Sequence, residues 1–160
     1  MNLLENRKAR LKINSQVSNW FKVTQGTPQG DPISPLLFLL CINPIIEHIN
    51  QKGKGYKLNK WVKISILAYA NDLVLIGSNR KEIEKILKWL EKWMNTYGLK
   101  INHNKSTYSH NSDRAMEPIH AQGKEIPKIA RNELYQYLGI HLNINLNWEK
   151  HERATIAKFL

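Results

Sequence analysis

The sequence predicts an α/β (α+β) fold: an antiparallel sheet with helices packed on one face. Three observations predict it. Residues 66–76 form two apolar runs around a short polar tetrad, which is the pattern of a β-hairpin. Residues 80–97 carry an apolar stripe at helical spacing, and a second such stripe follows Ser34. Because a sheet and a helix must each bury an apolar face, these elements are expected to pack together.

The first predicted element is a hairpin over residues 9–23. Leu11 and Ile13 alternate with basic residues, a polar turn falls at 14–16, and the alternation resumes beyond it. Residues 24–35 hold two Gly and three Pro. This composition predicts an irregular loop.

A helix is predicted to follow this loop, with Ser34 as its N-cap and Pro35 at its first helical position. Pro44 is expected to kink the helix or mark its weak point. The two glycines in residues 53–55 are expected to end it. Its apolar stripe comprises Phe38, Ile42, Ile45, Ile46 and Ile49.

The hairpin around the polar tetrad is predicted to consist of strands over residues 61–69 and 73–76. Its tip, residues 69–72, includes Asp72. A tight turn between two apolar strands can present a carboxylate at its tip. A carboxylate held in this way can bind Mg²⁺ against phosphates.

The clearest predicted helix covers residues 80–97. Asn79 and Glu82 have the spacing of a capping box at its start, and the apolar stripe is expected to pack against a sheet. Residues 103–131 are polar and interrupted by Gly and Pro, so no element is assigned there. Residues 134–142 are predicted to form a short strand leading to a turn.

Composition narrows the class of partner. The 160 residues suggest one domain or part of one. The net charge of +11 favours a polyanionic partner, most simply nucleic acid; the alternative is a basic surface with no partner. Cys41, the single cysteine, is expected to be a buried thiol in a reducing, intracellular compartment, either cytoplasm or nucleus. The histidines have no zinc-site spacing. No apolar run approaches membrane-spanning length, so no membrane partner is expected.

Four segments together resemble one family. Residues 69–72, Tyr-Ala-Asn-Asp, resemble the Tyr-X-Asp-Asp box of reverse transcriptases. Residues 26–38 resemble their Gly-x-x-Gln-Gly-x-x-x-Ser-Pro-Leu-Leu-Phe segment, and residues 98–105 their Gly-Leu-x-x-Asn-x-x-Lys segment. Residues 137–140 are similar to the primer-gripping turn. The four occur in the family's order, in the style of non-LTR retrotransposon enzymes, with group II intron enzymes as the nearest alternative.

The resemblance implies a partial polymerase palm over about residues 9–142 and the start of the thumb over 143–160. It implies RNA-directed DNA synthesis, in which a nucleotide is transferred from a dNTP to the 3′-hydroxyl of a DNA primer on an RNA template. Two Mg²⁺ ions would serve this reaction. The element's clade, its insertion target and the oligomeric state stay open.

The resemblance also implies roles for individual residues. Asp72 would bind metal, Asn71 would be a degenerate ligand, and Lys105 would protonate the departing pyrophosphate. The alternatives are a solvated turn aspartate for Asp72 and a solvated surface lysine for Lys105. For Gln29 and Gly30 the alternative is an ordinary Pro/Gly loop, and for Tyr69 it is plain strand packing. The residues implied to contact the template, nucleotide or primer are Gln29, Gly30, Ser34, Pro35 and Tyr69, with Tyr137, Leu138 and Gly139 in the primer grip.

Two departures from the family pattern bear on activity. Asn71 stands where the family has an aspartate, and no Phe-x-Asp-like segment precedes residue 26. We therefore expect the chain as written to be inactive and to begin inside the domain, after the fingers and the first catalytic strand. It would then be either a truncated gene model or a degraded copy. The alternative function is a catalytically silent, basic RNA- or DNA-binding module, and a third possibility is that no selected function remains.

Overall fold

A computed structural model of the chain contains helices and small antiparallel sheets, which confirms the predicted α+β class. The chain divides into two compact units, Met1–Ile76 and Gly77–Leu160, each described by itself below. The structure describes residues 6–24, 26–28, 30–112, 116–142, 152–153 and 156.

The first unit opens with two nested strand pairs. Strands β1 (Lys8–Ala9) and β4 (Phe21–Lys22) pair antiparallel, and between them β2 (Lys12–Ile13) pairs with β3 (Gln16–Val17) around a turn at residues 14–15. The predicted hairpin over 9–23 is confirmed.

Helix α1 (Ser34–Lys52) follows the loop. The predicted N-cap was wrong: Ile33 is the N-cap and Ser34 is already helical, because the Ser34 hydroxyl donates a hydrogen bond back to the Pro28 carbonyl oxygen at 2.6 Å instead of capping the helix. Pro44 lies inside the helix and, having no N–H, removes one of its backbone hydrogen bonds. The predicted C-terminus at Gly53 is confirmed. The buried residues of the stripe are Ile42, Ile45 and Ile49.

The prediction that Cys41 is buried was also wrong, since its side chain is exposed. Cys41 lies one helical turn before buried Ile45, so the helical face it occupies does not explain its exposure. Leu39 and Leu40 are exposed on the same part of the helix. The buried part of α1 therefore begins at Ile42, and much of the apolar run before it stays exposed.

The segment predicted as one strand over 61–69 is divided. Strand β6 (Lys63–Ile64) pairs with β5 (Tyr56–Lys57), whereas β7 (Ile66–Tyr69) pairs with β8 (Asp72–Leu75). The break falls at fully buried Ser65, whose backbone N–H donates to Asn50 Oδ1 of α1 at 3.3 Å. Because this N–H is hydrogen-bonded to a side chain of α1, it cannot pair with a neighbouring strand. The strand pairing therefore changes at Ser65, from β5 before it to β8 after it.

Strand β7 packs against α1, as predicted. Packing of this hairpin against the helix that starts near Arg80 stays a prediction. Among the described strands, β7 and β8 pair only with each other, so the outer edge of each lacks a strand partner there. Leu67 and Tyr69 on β7 are exposed.

Gly55, just after α1, allows the chain to pack tightly against the end of β6 and Ser65. Its φ is +54°, and a Cβ there would lie 2.3 Å from the Ile64 carbonyl oxygen and 2.5 Å from the Ser65 hydroxyl oxygen. Only glycine combines this left-handed backbone with so close a backbone approach. Gly26 offers a control, because its φ of +77° is equally left-handed but nothing lies within 4 Å of its Cβ position.

We predict that Gly55→Ala lowers the free energy of unfolding by about 2–5 kcal/mol, the sum of left-handed strain and overpacking. Gly26→Ala should lower it by only about 1–2 kcal/mol, from strain alone. Urea unfolding of both variants measures the difference. Equal losses of unfolding free energy in the two variants would show that the close approach to Ile64 does not contribute to the cost of the substitution.

The second unit is built on helix α2 (Arg80–Thr96), close to the predicted 80–97. The Asn79 side chain caps it by accepting from the Glu82 N–H at 3.1 Å, as predicted. The Glu82 carboxylate accepts from the N–H and the hydroxyl of Ser78, at 3.0 and 2.7 Å. Among the described residues of this unit, the buried apolar side chains are those of Ile86, Leu87, Leu90, Ile119, Ala121 and Ile126.

The region 103–131, left unassigned from sequence, contains a 3₁₀ turn (His103–Lys105) and a hairpin of β9 (Ile119–Ala121) and β10 (Lys124–Ile126). Strand β9 packs on α2. Strands β11 (Tyr135–Tyr137) and β12 (Ile140–Leu142) form a further hairpin, so the predicted strand over 134–142 is two strands.

None of the described helices is long and apolar enough to span a membrane. The thumb expected over 143–160 lies largely outside the described residues.

Candidate functional site

The β7–β8 hairpin turns through two residues. Tyr69 lies directly opposite Asp72, so Ala70 and Asn71 form the turn. Ala70 has a φ of +50°, a left-handed value that a two-residue hairpin turn demands of its first central residue. All four residues are exposed. The Asp72 carboxylate is thus carried on the first residue of a strand beside a constrained turn, as the sequence predicted.

The base of this hairpin is fixed to α1. Ile66 is buried, and the Ile76 N–H donates to the Ser65 carbonyl oxygen at 2.9 Å. Lys63 Nζ donates to the Gly53 carbonyl oxygen at the end of α1, at 2.6 Å. Because the base is held by packing and by these bonds, the turn projects from a supported element.

The loop before α1 is organised by its own polar groups. The Asp31 carboxylate accepts from the Ile33 N–H at 2.9 Å, and the Ser34 N–H donates to the Asp31 carbonyl oxygen at 3.1 Å. Gly30 has a φ of +88° with open space beside it, so its backbone is accessible. Pro35 is exposed in the first turn of α1. Gln29 lies outside the described residues.

Lys105 belongs to the second unit, where it ends the 3₁₀ turn His103–Lys105 with an exposed side chain. Its N–H donates to the Asn102 carbonyl oxygen at 3.0 Å, and its own carbonyl oxygen accepts from the Tyr135 hydroxyl at 3.3 Å. His103 Nε2 is bonded to the Ala121 carbonyl oxygen at 2.7 Å. The backbone that carries Lys105 is therefore tied to both later hairpins of its unit.

The residues implied as a primer grip form the tip of β11–β12. Tyr137 pairs with Ile140 across the ladder. Leu138 and Gly139 make the turn with φ values of +51° and +82°. Two consecutive left-handed residues define the turn type that two-residue hairpins favour. Leu138 and Gly139 are exposed.

Gln122 and Arg80 position this unit's segments and were missed from the sequence. The Gln122 side chain accepts from the Ile101 N–H at 2.8 Å and donates to the Leu99 carbonyl oxygen at 3.2 Å. Arg80 donates to the carbonyl oxygens of Glu117 and Pro118. These partners are separated by 21–38 residues, and no local pattern signals such pairing.

The described residues do not by themselves fit a two-ion metal site. Within the described ranges, no group of three or more His, Cys, Asp or Glu side chains could hold a metal ion. The hairpin tip offers the Asp72 carboxylate and the uncharged amide oxygen of Asn71. Two ions held about 4 Å apart need more anionic oxygen than this pair supplies.

Comparison with known proteins gives a consistent result. A family model described as reverse transcriptase (RNA-dependent DNA polymerase) matches residues 2–142. The Retrovirus-related Pol polyprotein from type-1 retrotransposable element R2 of Nasonia vitripennis is 25% identical over 147 residues, covering 86% of this chain and 14% of that protein. The Retrovirus-related Pol polyprotein from type-2 retrotransposable element R2DM of Drosophila melanogaster is 28% identical over 132 residues, covering 78% of this chain and 12% of that protein.

A third relative is the probable RNA-directed DNA polymerase from the X-element transposon of Drosophila melanogaster. It is 24% identical over 169 residues, which cover 97% of this chain and 18% of that protein. The chain therefore spans less than a fifth of the length of each of these three relatives.

Proposed function

The chain belongs to the reverse transcriptase (RNA-dependent DNA polymerase) family, and from that premise we propose that it is the palm segment of an RNA-directed DNA polymerase of a non-LTR retroelement. Residues 9–142 would be palm and 143–160 the start of the thumb. The observation that carries the proposal is the two-residue turn between Tyr69 and Asp72, which bears the motif residues on a supported hairpin. The family match does not favour a silent binding module.

Enzymes of this family use divalent metal ions together with a nucleic-acid template, a primer and nucleotides. For this chain we propose Mg²⁺, an RNA template, a DNA primer and dNTPs. Asp72 would supply one metal ligand, and Asn71 a weak and uncharged one. Bound Mg²⁺ would stabilise the negative charge that develops on the transferring phosphoryl group.

The other site residues would position the substrates. Gly30 would let the loop backbone approach the nucleotide closely, since it has no side chain and space beside it, while Gln29 would hydrogen-bond a base or ribose. Ser34 and Pro35 would hold that loop at the start of α1. Tyr69 would pack beneath the primer end. Residues 137–139 would contact the growing strand at the β11–β12 turn.

The test is primer extension by a chimeric enzyme. In the chimera, residues 9–142 of this chain replace the matching segment of a family member of demonstrated activity. We expect synthesis that requires an RNA template, all four dNTPs and a divalent ion, and that is lost in Asp72→Asn. Glu125→Gln serves as the control, since Glu125 is an exposed acidic residue on β10. A soluble, folded chimera that extends no primer even when it also carries Asn71→Asp would contradict the proposal.

Lys105 gives a separate prediction. If it protonates the departing pyrophosphate, Lys105→Ala in the chimera carrying Asn71→Asp should slow single-turnover incorporation by about 10²-fold. Lys105→Arg should slow it similarly, because a guanidinium releases its proton far less readily. Lys100→Ala, an exposed lysine in the same segment, should change the rate little. Full activity in Lys105→Ala would leave Lys105 as a surface lysine.

A further inference from the structure

The base of the first hairpin concentrates positive charge. Lys8 on β1 lies directly opposite Lys22 on β4. Arg10 directly follows β1 and Trp20 directly precedes β4, each two positions along the chain from one of these lysines. The contact between them agrees with this placement: the Arg10 guanidinium carbon lies 4.8 Å from the centre of the Trp20 ring. We call these four residues the basic–aromatic face.

The hairpin contains nothing that neutralises this charge. Like charges directly opposite one another on an antiparallel pair destabilise it. The sequence has no acidic residue between Glu5 and Asp31, a stretch that holds five Lys and Arg residues. All four members of the basic–aromatic face are exposed. A bound polyanion would remove the repulsion between Lys8 and Lys22.

Trp20 indicates which polyanion fits. Its surface is 61% exposed although Arg10 packs against the ring, so much of the indole is open to a ligand. An exposed aromatic ring beside cations matches a nucleic-acid strand, in which a base lies next to each phosphate. A duplex keeps its bases stacked on one another, so only a single strand can place a base on Trp20.

We propose that the basic–aromatic face binds single-stranded nucleic acid, with phosphates on Lys8 and Lys22 and one base stacked on Trp20. Arg10 orients the indole and adds a third cation. This site needs neither metal nor nucleotide, and it does not depend on the polymerase chemistry proposed above. It would hold a strand on the element that leads directly into the loop at residues 24–33.

The test uses the full chain and a fluorescein-labelled 12-nucleotide oligo(U), without metal or dNTP, followed by fluorescence anisotropy. Trp20→Ala should weaken binding about 5- to 100-fold with an unchanged salt slope, because it removes stacking but no charge. Trp20→Phe should retain most of the affinity. The double variant Lys8→Gln/Lys22→Gln should lower the slope of log K against log salt by about 1.4, the value for two phosphate contacts on a single strand.

Two controls separate site-specific loss from misfolding and from general charge loss. The double variant should have an unchanged or slightly raised melting temperature, since a repulsive pair is removed. Lys124→Gln/Lys128→Gln, which removes two exposed lysines of the other unit, should leave affinity nearly unchanged. With 5-iodouracil in the oligonucleotide, photo-crosslinks should map to Trp20. Wild-type affinity in Trp20→Ala, or crosslinks confined to other residues, would overturn the proposal.

Discussion

Replacing Asn71 with Asp is expected to raise primer extension by the chimeric enzyme about 10³-fold, equivalent to about 4 kcal/mol of transition-state stabilisation. Asn71 occupies the two-residue turn next to Asp72 and is exposed, so the substitution adds a carboxylate without disturbing packing. An amide oxygen can coordinate a hard cation but brings no negative charge. A charged ligand beside two dications is therefore expected to have a large effect on metal affinity and rate.

The matched comparison keeps the turn constant. The chimera, the chimera with Asn71→Asp, and the chimera with Asn71→Asp and Asp72→Asn are assayed by single-turnover extension over a range of Mg²⁺ concentrations. We expect Asn71→Asp to raise the rate and to lower the Mg²⁺ concentration needed for half-maximal rate. Equal extension rates with and without Asn71→Asp would show that a carboxylate at position 71 does not contribute to catalysis in the chimera.

Binding of RNA or DNA by the whole chain is expected to weaken about 10³-fold between about 50 and 200 mM salt if some six phosphates are contacted. The physical reason is counterion release, driven by the net charge of +11. The lysines expected to contribute are exposed along α2, and Lys57 and Lys60 are exposed on or beside the β5–β6 hairpin. On that hairpin Lys57 lies directly opposite Lys63, a second like-charged pair.

Filter binding with several unrelated oligonucleotides measures this effect. Affinity should vary little among sequences, because contacts to phosphates carry no base information. Lys57→Gln/Lys60→Gln should reduce the salt slope, whereas Gln51→Ala, an exposed uncharged residue near the end of α1, should not. Affinity that is unchanged over this salt range would refute the electrostatic interpretation, and strong preference for one sequence would indicate base readout instead.

Several elements could be predicted because their signals are local. The bounds of α2 follow from a 3.6-residue apolar period and from Asn79, whose side chain caps the first turn. The hairpin tip at 69–72 follows from two apolar runs with only a short polar interval. In each case the residues that determine the structure lie within a few positions of each other, so the pattern can be recognised from the sequence alone.

Other features depended on residues far apart in the chain. Ser65 ends one strand pair and begins another because its N–H is taken by Asn50 on α1, 15 residues earlier. Gln122 ties down the backbone at Leu99 and Ile101, more than 20 residues away. Polar residues such as these are ordinary in a sequence. Their role exists only once another segment is placed beside them.

The sequence alone determined the α+β class, helices α1 and α2, the tip of the β7–β8 hairpin and the family resemblance, because periodicity, turn residues and motif order all depend on residues close together in the chain. Tertiary structure alone decided that Cys41 is exposed, that the 61–69 segment divides at Ser65, and that Gly55 must stay without a side chain. The reason is that burial and close approach depend on which face of an element another segment covers. Helical spacing shows that α1 has an apolar stripe, but only the packed chain shows that Ile42, Ile45 and Ile49 are covered while the neighbouring leucines are not.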